Sequence, residues 1–437
     1  MKRTEIPVKK RILCILLAAV LCVLSGCSGD NGRGYVYYIN FKPEADAAWQ
    51  ELAQKYTAET GVRVKVVTAA SGSYDDTLSA QMNKTVCPTL FNCSNAQSVE
   101  NWHDYCYDLK DTRIYELLES DDYCLYDNDG RLCSIGYCYE AFGIITNKTL
   151  LEKSGHSVEE IVNFDTLKSV AEDIHSRRGE LGFDAFTSSG LDGSSSWRFS
   201  GHLANIPLFY EFREDGIVTQ PSGITGKYLD KYRNVWDMYV DNGTVGGGNL
   251  VSATGNMAEE EFGNGKAVFF QNGTWEYSAL TAKDKFAMDP ESVTIIPIYC
   301  GAEGEENAGL CSGTEAHWSV NAFASQKDID ATIDFLCWVV TSDDGKKMMS
   351  DCFGTTPFKD HLPGTNGFLN EAERLMNEGK YTITWDFTMT PNTDTWRAGV
   401  VSALQDYSSG NADWDKVRNA FVSGWAFQYK QEHCIFD

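Results

Sequence analysis

A regular alternation of short apolar strands with amphipathic helices opens the body of this chain, and it restricts the fold more than any other feature. Residues 35–39 read as a strand running into Asn40-Phe41-Lys42-Pro43. Trp49, Leu52, Ala53 and Tyr56 then recur at i, i+3, i+4 and i+7, the stripe of a helix that buries one face. Gly61 is placed to end that helix, because a C′ residue takes up a left-handed conformation that glycine enters without penalty. Residues 62–67, rich in β-branched side chains, form a second strand; residues 74–83 form a shorter helix and residues 88–93 a third strand. Such alternation implies right-handed βαβ units and a parallel sheet. The loops after its strands, Asn40–Lys42 and Ser94-Asn95, should then lie along the carboxyl edge, where open α/β sheets hold ligands. A chain of 437 residues also exceeds what one core usually serves, so two or more lobes are expected.

Residues 265–280, GKAVFFQNGTWEYSAL, carry the most informative local pattern. Four apolar residues follow a Gly-Lys turn, as in a buried strand, and the pattern breaks at Gln271-Asn272-Gly273-Thr274 before Trp275. Two readings are open. The strand presents Trp275 at a ligand-binding edge, or it belongs to a hairpin whose tryptophan caps a core.

The start of the chain reads as an export signal. Lys9-Lys10-Arg11 precedes an apolar run at 12–24 that is too short to span a bilayer, and Leu24-Ser25-Gly26-Cys27 follows it with the look of a bacterial lipobox. In signals of that kind the cysteine, here Cys27, is diacylated and becomes the mature N-terminus, and two acyl chains suffice for stable anchoring. Residues 1–26 are thus expected to be a lipoprotein signal peptide and 27–34 a lipidated leader, with the body lipid-anchored at the extracellular face of the cytoplasmic membrane.

Charge narrows the partners. The formal net charge is −25, and removing residues 1–26, with five basic residues against one acidic, leaves −29. So acidic a surface repels nucleic-acid phosphates and anionic lipids, and suits a neutral ligand better than an anionic one.

The catalytic and metal patterns are weak or missing. HExxH, Walker A and Rossmann signatures are absent. Gly309-Leu310-Cys311-Ser312-Gly313 has the form of a nucleophile elbow but lacks the strand before it and the helix after it. A glycoside hydrolase needs two carboxylates at a set separation, and with 62 acidic residues chance pairs carry no information. Asp127-Asn128-Asp129-Gly130 lacks the register and the twelfth-position Glu of a calcium loop and reads as a hairpin turn. His202 has no second histidine at i+4 and suits a packed or hydrogen-bonded role better than metal ligation. Eleven cysteines follow Cys27, an odd number with no CxxC spacing. A local Cys133–Cys138 disulfide is one reading; buried free thiols are preferred. No cofactor and no metal are expected.

Residues 265–280 resemble the G-K/E-x-A-hydrophobic-N-G-x-W segment of family 1 extracellular solute-binding proteins of ABC sugar importers, the maltose- and raffinose-type branch. Residues 135–148, IGYCYEAFGIITNK, resemble that family's P-x-x-x-E-x-x-G-I-x-Y-N-K segment, with Glu140 at the position of its cleft glutamate. The proline is replaced here, and Thr146 stands where the family has tyrosine. The resemblance extends over nearly the whole mature chain. It implies an α/β, two-lobe periplasmic-binding-protein-like (class II) fold with hinge strands, crossing first at 135–148, again at 293–297 and finally at Gly354-Thr355-Thr356-Pro357. The lobes would comprise 35–140 with 298–354, and 141–297 with 355–437. Elsewhere, Asp165 is expected to cap a helix through Ile174, and Ser325 one through Val340.

The function implied is capture of an oligosaccharide between the lobes and delivery to the permease subunits of an ABC transporter by a monomeric, non-catalytic protein. A sugar offers C–H faces to aromatic rings and hydroxyls to polar groups. Trp197, Trp275 and Trp396 are the candidate stacking rings, Trp396 by its match to a sugar-stacking aromatic at the start of a C-terminal helix. Asn40, Lys42, Ser94, Asn95, Glu140, Arg198 and Asn272 are the candidate polar contacts. A core position remains the alternative for Trp197. A surface carbohydrate adhesin or sensor partner, and a glycoside hydrolase, are the competing functions.

Overall fold

The computed structural model describes residues 32–435, so the export signal and Cys27 lie outside the described residues. Twelve strands fall into two six-stranded sheets. In chain order they are β1 (Tyr35–Asn40), β2 (Arg63–Thr68), β3 (Leu90–Phe91), β4 (Cys124–Tyr126), β5 (Leu132–Gly136), β6 (Glu140–Asn147), β7 (Asp184–Phe186), β8 (Ala267–Gly273), β9 (Val293–Ile296), β10 (Ala308–Gly313), β11 (His317–Val320) and β12 (Tyr381–Thr384). The first sheet has the order β2-β1-β3-β11-β5-β4; the second runs β12-β10-β6-β8-β7, with β9 also paired to β6.

The opening alternation folds as its pattern requires. Trp49, Leu52, Ala53 and Tyr56 are the buried residues of the helix Asp46–Thr60, which ends at Gly61 with φ 72°. β1 pairs in parallel with β2 and β3. Successive β1 side chains enter different cores, Val36 and Tyr38 on one face and Tyr37 and Ile39 on the other, as in a strand covered on both sides. The third strand is shorter than expected. Pro88 has no N–H to give a ladder, and Asn92 bonds sideways, its N–H donating to Tyr74 Oη at 2.6 Å.

The chain passes between sheets three times. The first passage, between β5 and β6, falls inside the segment expected for it. The second does not. Residues 293–296 pair antiparallel with β6 in the second sheet, and β10 pairs with β6 as well, so the return lies between Gly313 and His317. Residues 298–313 therefore go with the second sheet and not with the first lobe. The third passage comes after the expected GTTP. Phe358 still bridges to Leu118 in the first lobe, whereas Asn366 donates to the Thr274 carbonyl in the second at 2.7 Å.

Other local expectations are adjusted. The helix Phe164–Ser176 is capped by Asn163 through a reciprocal bond with Thr166, and not by Asp165. Ser325 does cap the helix Gln326–Thr341. Asp127–Gly130 makes the turn between the antiparallel strands β4 and β5. All eleven cysteines of the described residues are free thiols. Cys133 and Cys138 cannot meet locally because they enter opposite cores of the first sheet.

Candidate functional site

The carboxyl ends of β1 and β8 approach one another where the lobes join, and each is held in shape by an asparagine. Asn40 is fully buried; its Oδ1 accepts from the Lys42 backbone N–H at 3.0 Å, and its Nδ2 donates to the Lys42 carbonyl at 2.7 Å and to Thr68 Oγ1 at 3.0 Å. That side chain is spent on fixing the loop that aims Lys42. Lys42 Nζ reaches across to both oxygens of Glu140, at 2.6 and 2.7 Å, and lies 3.8 Å from Glu44. Burial alone would lower the lysine, but the carboxylates of Glu140 and Glu44 outweigh it and hold Lys42 above its ordinary value. The same ammonium sits 5.3 Å from the centre of the Trp275 ring and 5.4 Å from that of Phe41, within cation–π range of both.

On the second lobe, β8 continues through Gln271, Asn272 and Gly273, which pair with β6, and the chain then turns directly into the helix Glu276–Thr281. It is a strand-to-helix turn and not a hairpin. Asn272 accepts from Trp275 Nε1 at 2.9 Å and donates to Glu276 Oε1 at 2.7 Å, so both ends of its amide orient the turn. The six-membered ring of the indole lies against Gly273, where a Cβ would come within 2.2 Å of it. Gly273 is required for that close approach.

Trp275 is half-buried, and so is Trp197, whose ring centre is 6.0 Å away. Trp197 Nε1 donates to the Ser194 carbonyl, tying the ring to the glycine- and serine-rich loop before it. His202 packs against both, at 4.9 and 5.5 Å, and stacks on Phe142 at 3.9 Å. Burial first, then the positive charges of Arg397, Arg198 and Lys42, push His202 well below its ordinary value, so the imidazole is neutral. It packs and hydrogen-bonds, as its isolation in the sequence suggested.

Three candidate residues take other places. Trp396 is sealed in the second lobe's hydrophobic core, 4.6 Å from Phe421, with Nε1 donating to the Phe421 carbonyl at 3.0 Å. The helix Trp414–Glu432 folds back over the face of the helix Thr393–Ser408 that carries it, so this ring is not part of the cleft. Asn95 caps the helix Ala96–Trp102, its Oδ1 accepting from the Ser98 N–H; Ser94 beside it is half-buried. Arg198 is buried in a wide π-type turn spanning Arg198–Leu203, its guanidinium 5.4 and 5.3 Å from the ring centres of Phe199 and Phe270. For Trp396→Phe we expect a stability loss of about 1–2 kcal/mol in chemical unfolding, from the lost indole hydrogen bond and volume, with ligand affinity unchanged.

Sequence reasoning missed Glu276, although it follows Trp275 and stands at i+4 from Asn272. Burial, then the nearby Glu259 carboxylate, raises it from 4.5 to about 8, against the opposing pull of Arg198. A carboxyl raised on folding favours the native state while protonated. Its contribution is full below pH 4.5 and is lost as pH rises through about 8. Melting temperature measured against pH should show that decline in the wild type, and Glu276→Gln should flatten it.

Two α/β lobes thus meet around half-buried tryptophans and a buried lysine–glutamate pair. The description "Bacterial extracellular solute-binding protein" matches residues 51–375, and the chain belongs to that family. Its members are solute-binding proteins and not enzymes. A search of curated protein sequences gives no match.

Solved structures agree in fold. RafE, a solute-binding protein in complex with raffinose, shares 17% identity at a TM-score of 0.69 over 91% of this chain and 98% of its own. An apo form of RafE comes from Streptococcus pneumoniae. A chitin oligosaccharide binding protein shares 15% at a TM-score of 0.70, over 92% and 98%. A sugar transporter protein of Bacillus licheniformis in complex with stachyose shares 15% at a TM-score of 0.65, over 90% and 99%. No helix among the described residues is long and apolar enough to cross a membrane.

Proposed function

We propose that this solute-binding protein captures an oligosaccharide between its lobes and delivers it to the permease subunits of an ABC transporter. The observation that carries the reading is the pair of half-buried rings, Trp197 and Trp275, set 6.0 Å apart at the lobe junction beside Lys42 and Glu140. Amphipathic rings suit the C–H faces of a sugar, and the charged pair suits its hydroxyls. Structures of the same fold hold raffinose and stachyose, which favours a saccharide over other solutes. Trp197, Trp275, Lys42, Glu140 and Ser94 are the contact residues in this reading, with Asn40, Asn95 and Asn272 positioning them.

Capture proceeds by hinge closure of the two lobes, which buries the ligand from both sides. The lobes divide as residues 35–136 with 317–358, and 140–313 with 366–435. The protein acts as a monomer, anchored through lipid on Cys27 at the outer face of the cytoplasmic membrane, a reading that the lipobox-like Leu24-Ser25-Gly26-Cys27 supports.

A glycan panel titrated against the protein tests the reading. At least one oligosaccharide should raise the melting temperature in a concentration-dependent way and emerge chemically unchanged. A panel with no shift would count against saccharide capture, and cleaved product would favour a hydrolase. Binding without lobe closure in solution scattering would favour the adhesin alternative.

A further inference from the structure

The edge of the first sheet opposite the lobe junction gathers features that ligand capture does not use. β1 leads from Tyr35 at that edge to Asn40 at the junction. Tyr38, Leu90 and Val320 stand at one level of the sheet, and Tyr35, Cys87 and Phe323 each lie three residues from it toward the far edge, with Arg63 opposite Tyr35. Asn321 ties two of these chains together there. Its Nδ2 donates to the Pro88 carbonyl at 2.7 Å and lies 3.6 Å from Cys87 Sγ, and its Oδ1 accepts from the Phe323 N–H at 2.9 Å. Phe323 is 68% exposed, and Val86, beside Cys87, is 60% exposed. An exposed phenylalanine alone means little. Here it ends a row of rings, Phe91, Trp102, Tyr105 and Phe323, with successive centres 6.3, 5.3 and 5.0 Å apart. Trp102 and Tyr105 are half-buried.

Cations flank the same edge, on a chain whose net charge is −25. Arg63, Lys65 and Lys84 are exposed, and each rests on a neutral partner. Arg63 lies 4.7 Å from the centre of the Tyr35 ring and Lys65 3.7 Å from that of Tyr37, while Lys84 Nζ donates to Gln81 Oε1 at 2.7 Å. Nearby carboxylates are engaged elsewhere: Asp328 accepts from the Tyr35 N–H at 2.8 Å and from Ser325 Oγ at 2.7 Å, and Asp104 faces His103 at 3.4 Å. The place where the chain enters points to the occupant. Residues 28–34 separate Cys27 from Tyr35, a reach of at most about 28 Å, so lipid on Cys27 would keep this edge beside the bilayer. Aromatic rings with a polar tip settle at the boundary between headgroups and acyl chains, and each lysine or arginine near an anionic leaflet strengthens binding about fivefold.

We infer that this edge of the first lobe docks on the anionic lipid surface of the membrane, with Phe323 and Val86 at headgroup level and Arg63, Lys65 and Lys84 against lipid phosphates, an inference that rests on the lipid-anchor reading above. The lobe junction, at the opposite edge of the sheet, then points away from the bilayer. Net charge describes the whole surface, and this edge departs from it.

The test is hydrogen–deuterium exchange of the full chain, as a bacterial host processes it, on nanodiscs of phosphatidylglycerol mixed with phosphatidylcholine, beside discs of phosphatidylcholine alone and protein without lipid. Residues 84–87 and 321–325 should exchange about fivefold or more slowly on the anionic discs than on the neutral ones, and about 0.5 M sodium chloride should remove the difference. A Lys65→Gln, Lys84→Gln double variant, and separately Phe323→Ser, should shrink it. Circular dichroism and melting check that the variants fold, and the salt response of the wild type stands whether or not they do. Equal exchange on anionic and neutral discs, or an unchanged difference in the folded variants, overturns the inference. Protection by inorganic polyphosphate without lipid would make the edge a polyanion site, and protection that grows with protein concentration without lipid would make it a contact between copies; each overturns the inference too. Intact mass separates the premise: an unmodified Cys27 removes the anchor reading, while the disc comparison still reads the surface itself.

Discussion

Replacing Glu140 with alanine is expected to destabilise the protein by about 3–5 kcal/mol, because it leaves the Lys42 ammonium buried without its carboxylate. Lys42 is 7% exposed and Glu140 5%, and the two are joined by contacts of 2.6 and 2.7 Å. The remaining carboxylate, Glu44, is 3.8 Å away, too far to take over the hydrogen bonding. The cost comes from the stranded charge and not from the pair's own strength. A Lys42→Met, Glu140→Leu double variant, which removes both charges and fills similar volume, should therefore recover most of the loss. Urea unfolding of the two single variants and the double variant measures the coupling directly. Equal destabilisation in the single and double variants would mean that the pair is not buried as described.

The second large effect concerns binding. Trp275→Ala should weaken saccharide affinity by about 10–100-fold, as expected when an aromatic stacking face is removed from a partly desolvated site. The melting temperature of the free protein should change little, because the ring is half-buried and lies on a glycine at the edge of the core. Trp275→Phe, which keeps a face but loses the bond to Asn272, should retain an intermediate affinity. Collapse of stability in the alanine variant would mark the ring as a core residue, the role that Trp396 fills.

Those two tryptophans show how much the sequence could say. Both precede or open helices, and both matched a family position, yet one faces the lobe junction and the other is sealed. What separates them is tertiary. The helix Trp414–Glu432 returns over Trp396, whereas Trp275 stays half-buried. Strands and helices whose periodicity was strong, such as β1 and the stripe from Trp49 to Tyr56, were legible because burial follows spacing. The passages between lobes were less so. An apolar run such as residues 293–296 looks the same whether it crosses a hinge or lies inside a sheet.

Side-chain economy was the least legible. Asn40, Asn95 and Asn272 have the right chemistry for a sugar hydroxyl, but their amides are spent on Lys42, Ser98 and Trp275. Sequence gives the residue type and not its partner. The Lys42–Glu140 pair spans 98 positions, and only the fold brings it together. Arg198 was singled out as a polar contact, but it is buried in the π-type turn, which leaves no mark in composition or spacing.

The central claim is that Trp197 and Trp275 form the surface on which the ligand rests. Fluorine NMR of protein labelled with 5-fluorotryptophan, with resonances assigned through single Trp→Phe variants, tests it most directly. Addition of the best saccharide from the panel should move the Trp197 and Trp275 signals and leave Trp396 in place. Saturating saccharide that moves neither of those two signals would contradict the account.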